Sequence, residues 1–263
     1  MSAVPAISFE GVDKTFPASR LHPEVKAARA VSFAIQAGEV VSIIGPSGCG
    51  KSTLLNMGSG LAPPTAGVVK VLGVPVQGPS TQVAFMLQKD LLLPWRTISQ
   101  NVEFGLELRG VAPAQRRDKS EQLLQQFRLH GFGNNYPHQL SGGMRQRAAL
   151  ARTLAVDPTV LLMDEPFSAL DAQTKMILQQ DLARSVHAQG KTVLFITHDL
   201  SEAVALSDRI LVMSERPGTI VEQITVNLPD RDKPMQRRKH PQLGDHVAQL
   251  MALLKLDGDT DIH

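Results

Sequence analysis

Cysteine is almost absent. The 263 residues carry one, Cys49, which can neither close an intrachain disulfide nor furnish a Cys-rich zinc site, so nothing ties the fold to an oxidising compartment. Aromatic residues are scarce as well, nine Phe with one Trp and one Tyr, which leaves little for base-stacking platforms. A dominant charge is missing: 27 Lys plus Arg against 25 Asp plus Glu leave a formal +2, without the broad basic field that draws a protein to nucleic acid. No nucleic-acid partner is therefore expected. No unbroken apolar run approaches the roughly 18 to 20 residues that a membrane-spanning helix needs. The opening MSAVPAISFEG lacks both a basic start and the apolar stretch of about 7–15 residues that marks a secretory signal. The expected address is the cytosol, and any work at a membrane is done from outside the bilayer.

What is present is a core-forming chain, 43% hydrophobic and 20% charged, long enough for one large domain or two small ones. Ala30–Gln36 alternates apolar and polar residues, as a half-exposed antiparallel strand does. Val40–Ile44, Val160–Met163, Val193–Ile196 and Ile210–Met213 are nearly all apolar, which suits strands covered on both faces of a parallel sheet. Helical patterns lie between them at Lys51–Met57, Met144–Val156, Ala172–His187 and Ser201–Leu206. The stretch Thr97–Phe127 is polar and helix-favouring, and reads as a helical subdomain inserted in an α/β core. Leu228–Gln242, rich in Pro and charge, reads as an exposed linker, and its basic residues Arg231, Lys233, Arg237, Arg238 and Lys239 as solvated rather than lipid-bound. Leu243–Leu256 follows as a short amphipathic helix.

Two segments carry chemistry on their own. Gly45, Pro46, Ser47, Gly48, Cys49, Gly50, Lys51 and Ser52 fit GxxxxGK[ST], directly after an apolar strand and directly before a helix. The glycines let backbone N–H groups curl inward around phosphate oxygens at a helix N-terminus. Lys51 is then placed for the β and γ phosphates, Ser52 for Mg²⁺, and Thr53 to assist from the next helical position. The Cys49 thiol is expected beside the nucleotide. The second segment, Val160–Pro166, delivers Asp164 and Glu165 at a strand end, where ligands bind in open α/β sheets. Strand alternation turns the two carboxylates different ways, giving Asp164 to Mg²⁺ and Glu165 to the attacking water. These segments define a nucleotide hydrolase or a phosphotransferase.

Between them stands Leu140-Ser141-Gly142-Gly143-Met144-Arg145-Gln146-Arg147, opening a helix, and with it the chain closely resembles the ATP-binding subunits of ABC transporters. The resemblance implies a phosphate-loop cassette with a RecA-like core sheet, an N-terminal antiparallel β subdomain and an inserted helical subdomain. It places the nucleotide-binding domain at residues 5–227, the helical subdomain at about 92–156, and a basic linker and short helix at 228–263. It further implies that Ser141, Gly142 and Gly143 engage the γ-phosphate of ATP held by another subunit. Phe16 would stack on adenine, Gln88 would contact Mg²⁺ or water and sense the membrane partner, Asp171 would communicate across a dimer, and His198 would contact the γ-phosphate. Met144 departs from the usual Gln but leaves the serine hydroxyl and glycine amides in place.

Gln88–Arg96 with Asn101-Val102, the form LSGGMRQR, and Ser214–Gly218 are similar to the ATPase subunits of nitrate, sulfonate and taurine importers, and the similarity covers almost the whole chain. This resemblance implies an ATP-hydrolysing homodimer, or a dimer with a close relative, peripheral on the cytoplasmic face of a bacterial inner membrane. Its implied partners are multi-span permease subunits and, indirectly, a substrate-binding protein, with ATP and Mg²⁺ as cofactors. The alternative is a soluble ABC-type ATPase of iron–sulfur cluster assembly or DNA repair. The single cassette and near-neutral charge weigh against repair, and the apolar Leu91–Trp95 segment, a docking surface in prospect, weighs against cluster assembly.

Overall fold

The computed structural model describes residues 4–18, 23–168 and 170–255. Ala169, in the Ser168–Asp171 loop, and the end of the chain from Leu256 onward lie outside the described residues. Two sheets organise the molecule. In the first, β1 (Ile7–Phe16) pairs antiparallel with β2 (Val25–Ile35) and, on its other side, with β4 (Ala66–Val71), which ends beside the two-residue β5 (Val74–Pro75). Alternation along β1 and β2 sends Ile7, Phe9, Val31, Phe33 and Ile35 inward, and Phe9 stacks on Phe33 with ring centroids 4.5 Å apart.

The second sheet runs β10-β9-β3-β8-β7-β6, built from β3 (Val40–Ile44), β6 (Val83–Met86), β7 (Val160–Asp164), β8 (Thr192–Ile196), β9 (Arg209–Met213) and β10 (Ile220–Thr225). All its pairings are parallel except that of β10, the antiparallel edge. The continuous apolar runs are thus the strands buried on both faces, as expected of a parallel sheet. One face packs with α1 (Lys51–Gly58) toward the antiparallel sheet, so Leu54, Leu55, Leu162 and Leu194 share a core with Phe9 and Ile35. The opposite face meets α4 (Gly142–Ala155) and α5 (Ala172–Ala188), where Leu150, Leu161, Phe167, Leu182 and Phe195 pack. Between β6 and β7 the chain runs through α2 (Ile98–Leu108), α3 (Pro113–Gln126) and then α4. Thr97 and Gln100 close a capping box at the start of α2, and Pro113 opens α3.

The segment after β10 is not the exposed linker its charge suggests. Leu228 is buried, α7 (Pro234–Arg237) interrupts the run, and the side chain of Arg237 is 1% exposed. Arg237 donates to the carbonyl oxygens of Ala205, at the end of α6 (Leu200–Leu206), and of Leu228, at 3.2 and 3.3 Å. Arg231 pairs with Asp208, Lys233 with Asp230, and Arg238 donates to Gln179. Arg231, Arg237 and Arg238 find partners far away in sequence, which composition cannot reveal, whereas Lys233 pairs three residues away and, like Lys239, stays exposed. Beyond them α8 (Gln242–Leu253) lays Leu250 against Ala203, Val204 and Ile210.

Because Leu250 is fully buried, Leu250→Ala is expected to cost about 2–5 kcal/mol of local stability. Limited trypsin digestion checks this: cleavage between Arg231 and Lys239 should come first and much faster than in the parent chain.

Candidate nucleotide site

The phosphate loop leaves β3 at Ile44 and re-enters regular structure at Lys51, the first residue of α1. Its shape depends on Gly50, whose φ of 110° is costly for other residues and whose missing Cβ would stand 2.5 Å from the carbonyl oxygen of Ala27. The loop is thereby pressed against β2. Lys51 is 9% exposed, and its ammonium donates to the carbonyl oxygens of Gly45 and Pro46, both at 2.8 Å. The cleft above the loop, about 530 Å³, is lined by Phe16, Val25, Ala27, Ser47, Gly48, Gly50, Lys51, Ser52, Thr53, Glu165, Ile196 and Arg216. Phe16 stands half-exposed at the end of β1 with the Lys14 ammonium 5.3 Å from its ring centroid, whereas nearby Phe9 is core.

Cys49 departs from expectation. Its backbone belongs to the loop, but its side chain is 1% exposed and faces the core shared with Leu54 and Met213, with Sγ 3.9 Å from the Lys51 ammonium. Two residues before the helix start, the loop's curl sends this side chain under the loop, and the Cys49 amide donates back to the Pro46 carbonyl at 3.4 Å.

The carboxylates serve separate neighbours. Asp164 ends β7, and burial pushes its carboxyl above the ordinary range; the Ser52 hydroxyl beside it pulls the other way, and the Glu165 charge adds to the rise. Glu165 has a φ of 46°, a left-handed backbone that costs a non-glycine residue roughly 1–2 kcal/mol. That conformation breaks the strand alternation from which the two directions were read. It is held by the Glu165 amide donating to the Ile196 carbonyl at 3.1 Å and by Ser168 donating back to the Glu165 carbonyl at 3.1 Å. The outcome is a cluster: Gln88 Nε2 donates to Glu165 Oε2 at 3.1 Å, and His198 Nδ1 lies 3.4 Å from the same oxygen. Residues 77 apart in sequence are joined because β6, β7 and β8 end level with one another.

Ser141, Gly142, Gly143 and Asp171 stand outside this cleft. Ser141 caps α4, its hydroxyl accepting the Met144 amide at 3.3 Å, and the Gly142 and Gly143 amides are left without helical partners in the first turn. Asp171 caps α5 by accepting the Thr174 amide at 3.0 Å, and the Thr174 hydroxyl, together with that amide, holds its carboxyl below the ordinary range. The two helix starts touch: a Cβ on Gly143 would come within 2.9 Å of Thr174 Cγ2.

Sequence reasoning gave no site role to Arg216. Its Nε and Nη2 both donate to the Gly48 carbonyl, at 2.9 and 2.6 Å, clamping the tip of the phosphate loop from the far edge of the sheet. Nor did it assign Arg145 and Arg152 on α4, which hold the segment after Gln88. Arg145 pairs with Asp90 at 3.1 Å, and Arg152 donates to the carbonyl oxygens of Leu91 and Asp90 at 2.7 and 2.6 Å. The signal available was only the presence of arginines on one helical face.

A more enclosed cavity of about 280 Å³ beneath α5 is lined mainly by apolar side chains such as Met163, Phe167, Leu182 and Phe195, and offers no phosphate cradle. The fold and the cleft together define a phosphate-loop nucleotide hydrolase. The family model for the ABC transporter matches residues 28–168. The taurine import ATP-binding protein TauB of Yersinia pestis bv. Antiqua is 47% identical over 201 residues, 76% of this chain and 79% of that protein. The nitrate import ATP-binding protein NrtD of Synechocystis sp. is 43% identical over 236 residues, 88% of this chain and 89% of that one. Among solved structures, the ATP-binding cassette MJ0796, a dimer in a post-hydrolysis state bound to ADP and Pi, aligns with a TM-score of 0.76 and 32% identity over 84% of this chain and 99% of that chain. The chain belongs to the ABC transporter family, as one of its ATP-binding, ATP-hydrolysing cassettes.

The burial of Cys49 sets its reactivity. Thiol alkylation of the native chain is expected to proceed only as fast as the loop opens, and to slow further with nucleotide bound. Mass spectrometry over time checks this, and complete labelling within seconds would place the thiol in the cleft after all.

Proposed function

We propose that this cassette drives an importer of a small anion such as nitrate, a sulfonate or taurine, working as a homodimer, or a dimer with a close relative, beneath permease subunits. Three observations support the reading: the importer relatives named above, the Gln88–Glu165–His198 cluster at the rim of the phosphate-loop cleft, and the exposed apolar residues Leu91 and Trp95 a few positions after Gln88. The cluster carries the hydrolytic part. Two ATP molecules lie head to tail, each between the phosphate loop of one subunit, residues 45–53, and Ser141, Gly142 and Gly143 of the other, with adenine on Phe16. Lys51 turns from its loop carbonyls to the phosphates. Glu165 accepts a proton from the water that attacks the γ-phosphorus, ADP leaves, and His198 steadies both the carboxylate and the phosphate. Asp171, at the start of α5 beside the signature helix, relays between subunits.

Among the described residues no cluster of three or more His, Cys, Asp or Glu side chains forms a self-sufficient metal site. The Ser52 hydroxyl, the Asp164 carboxylate and the Gln88 amide oxygen are instead hard donors suited to a Mg²⁺ that completes its shell with phosphate and water. Bound there, the ion neutralises phosphate charge. The upward-shifted Asp164 carboxyl fits such a role, since a cation beside it would relieve the cost of its burial.

Among the described residues no helix is long and apolar enough to cross a membrane; in the reading proposed here the permease provides the translocation path. Leu91 and Trp95 are 53% and 71% exposed while Leu92 is buried, so the segment is anchored at one point and offers apolar surface at two others to a permease helix. In this reading the cassette works peripherally on the cytoplasmic face, with a substrate-binding protein acting on the far side.

Glu165→Gln is expected to keep ATP binding, to accumulate as an ATP-bound dimer, and to lower turnover by about 100-fold or more. Gel filtration with ATP and a phosphate-release assay measure both, and wild-type turnover would remove Glu165 from its role. Trp95→Ala should weaken co-purification with the permease by about tenfold or more. Full retention of the complex would move the docking surface elsewhere.

A further inference from the structure

Behind His198 lies a polar chain that the hydrolysis steps above do not use and that ends in the C-terminal segment. Asp199 follows His198 directly and caps α6: its Oδ1 accepts the Glu202 amide at 3.0 Å, and its Oδ2 accepts from Lys175 Nζ of α5 at 2.8 Å. Lys175 also reaches Glu202 Oε2 at 2.7 Å. That oxygen accepts in addition from Gln179 Nε2 at 2.8 Å, and Gln179 Oε1 accepts from Arg238 Nη2 at 2.9 Å. Gln179 and Glu202 are 1% and 2% exposed. One residue along α5, Gln180 donates to the Asp232 carbonyl at 2.8 Å, a second tie to the same segment.

The order of donors and acceptors leaves this chain one arrangement. A guanidinium only donates, so Arg238 requires the amide oxygen of Gln179 to face it, which turns the Gln179 NH₂ toward the Glu202 carboxylate. With no donor at position 238, the Gln179 oxygen is buried without a partner, and a flip of the amide sets that oxygen against a carboxylate. Further along, burial pushes the Lys175 ammonium down, but Asp199 and Glu202 outweigh it and leave its pKa raised. Burial likewise pushes Asp199 up, and Lys175 outweighs it. Of the three charges only Glu202 is fully buried, with Lys175 and Asp199 partly exposed, and the shared Lys175 ammonium ties both carboxylates to one place. On the other side, the Asp199 amide donates to Thr197 Oγ1 at 3.0 Å, and the Thr197 amide donates to the Ile43 carbonyl of the strand that carries the phosphate loop. The backbone of His198 is thus fixed from both directions.

We propose that Arg238 is a positioning residue for ATP hydrolysis. From the C-terminal segment it sets the Gln179 amide and, through Glu202, Lys175 and Asp199, the station of His198 against Glu165. The proposal rests on the roles given above to His198 and Glu165. It makes the segment after β10 part of the hydrolytic apparatus, so that its docking or release changes turnover with the nucleotide pocket intact.

The test is steady-state ATPase kinetics on the full chain with Arg238→Ala, Arg238→Lys, Gln179→Ala and the double alanine variant, with thermal melts of each. Arg238→Ala is expected to lower kcat about tenfold with KM for ATP within about twofold. Arg238→Lys should restore most of the loss, because an ammonium also only donates. The double variant should fall no further than the worse single one. Wild-type kcat in Arg238→Ala, losses that multiply in the double variant, or a loss that merely tracks the unfolded fraction would each overturn the proposal. Glu165→Gln run alongside separates the two readings. If it hydrolyses normally, the assigned site is wrong. If it is inactive while Arg238→Ala is unimpaired, only the relay is wrong.

Discussion

The strands β3, β7 and β8 are covered on both faces, so almost every side chain along them is apolar and their backbone groups are satisfied mainly by the neighbouring strands of the sheet. Polar chemistry becomes possible at the point where these strands emerge from the core. The register decides what meets there: Ile196 of β8 lies opposite Asp164 of β7, Ile43 of β3 lies opposite Ile196, and Met86 of β6 lies opposite Met163. The four strands end level, and the residues just beyond each end, at 45, 88, 165 and 198, are brought to one rim although the sequence spreads them over more than half the chain. The site follows from the lateral pairing of the sheet.

A second constraint acts at Glu165. A residue continuing β7 would have carried its side chain away from Asp164 along the pleat; the left-handed turn swings it instead toward Gln88 and His198. The strain is sustained by hydrogen bonds from the turn itself and from β8, so the neighbouring strand both supplies a histidine and keeps the glutamate in an unfavourable backbone state.

Much of this was legible in the sequence because its signals are local. Continuous apolar runs marked four buried strands, and the glycine pattern before Lys51 marked a turn into a helix. What escaped depends on partners remote along the chain. Arg237 looks like a solvent-exposed charge until the carbonyl end of α6 is set beside it. The burial of Cys49 depends on the core beneath the loop, and the clamp of Arg216 on Gly48 spans 168 residues. The left-handed φ of Glu165 has no signature in residue type, since glutamate seldom adopts it.

The two arginines that grip the segment after Gln88 sit seven residues apart on α4, two helical turns, and so emerge on the same side of that helix. Asn101 stiffens the gripped segment from within, its amide bonded to Leu93, Arg96 and Thr97. A push on Leu91 or Trp95 therefore bears on α4 at two points along its length rather than one, which resists pivoting and favours motion of the whole rod. At about 1.5 Å per residue, the fourteen residues of α4 make an arm of roughly 20 Å, with Ser141 and Gly142 at its tip. In mechanical terms the helix is a rod held at two bearings.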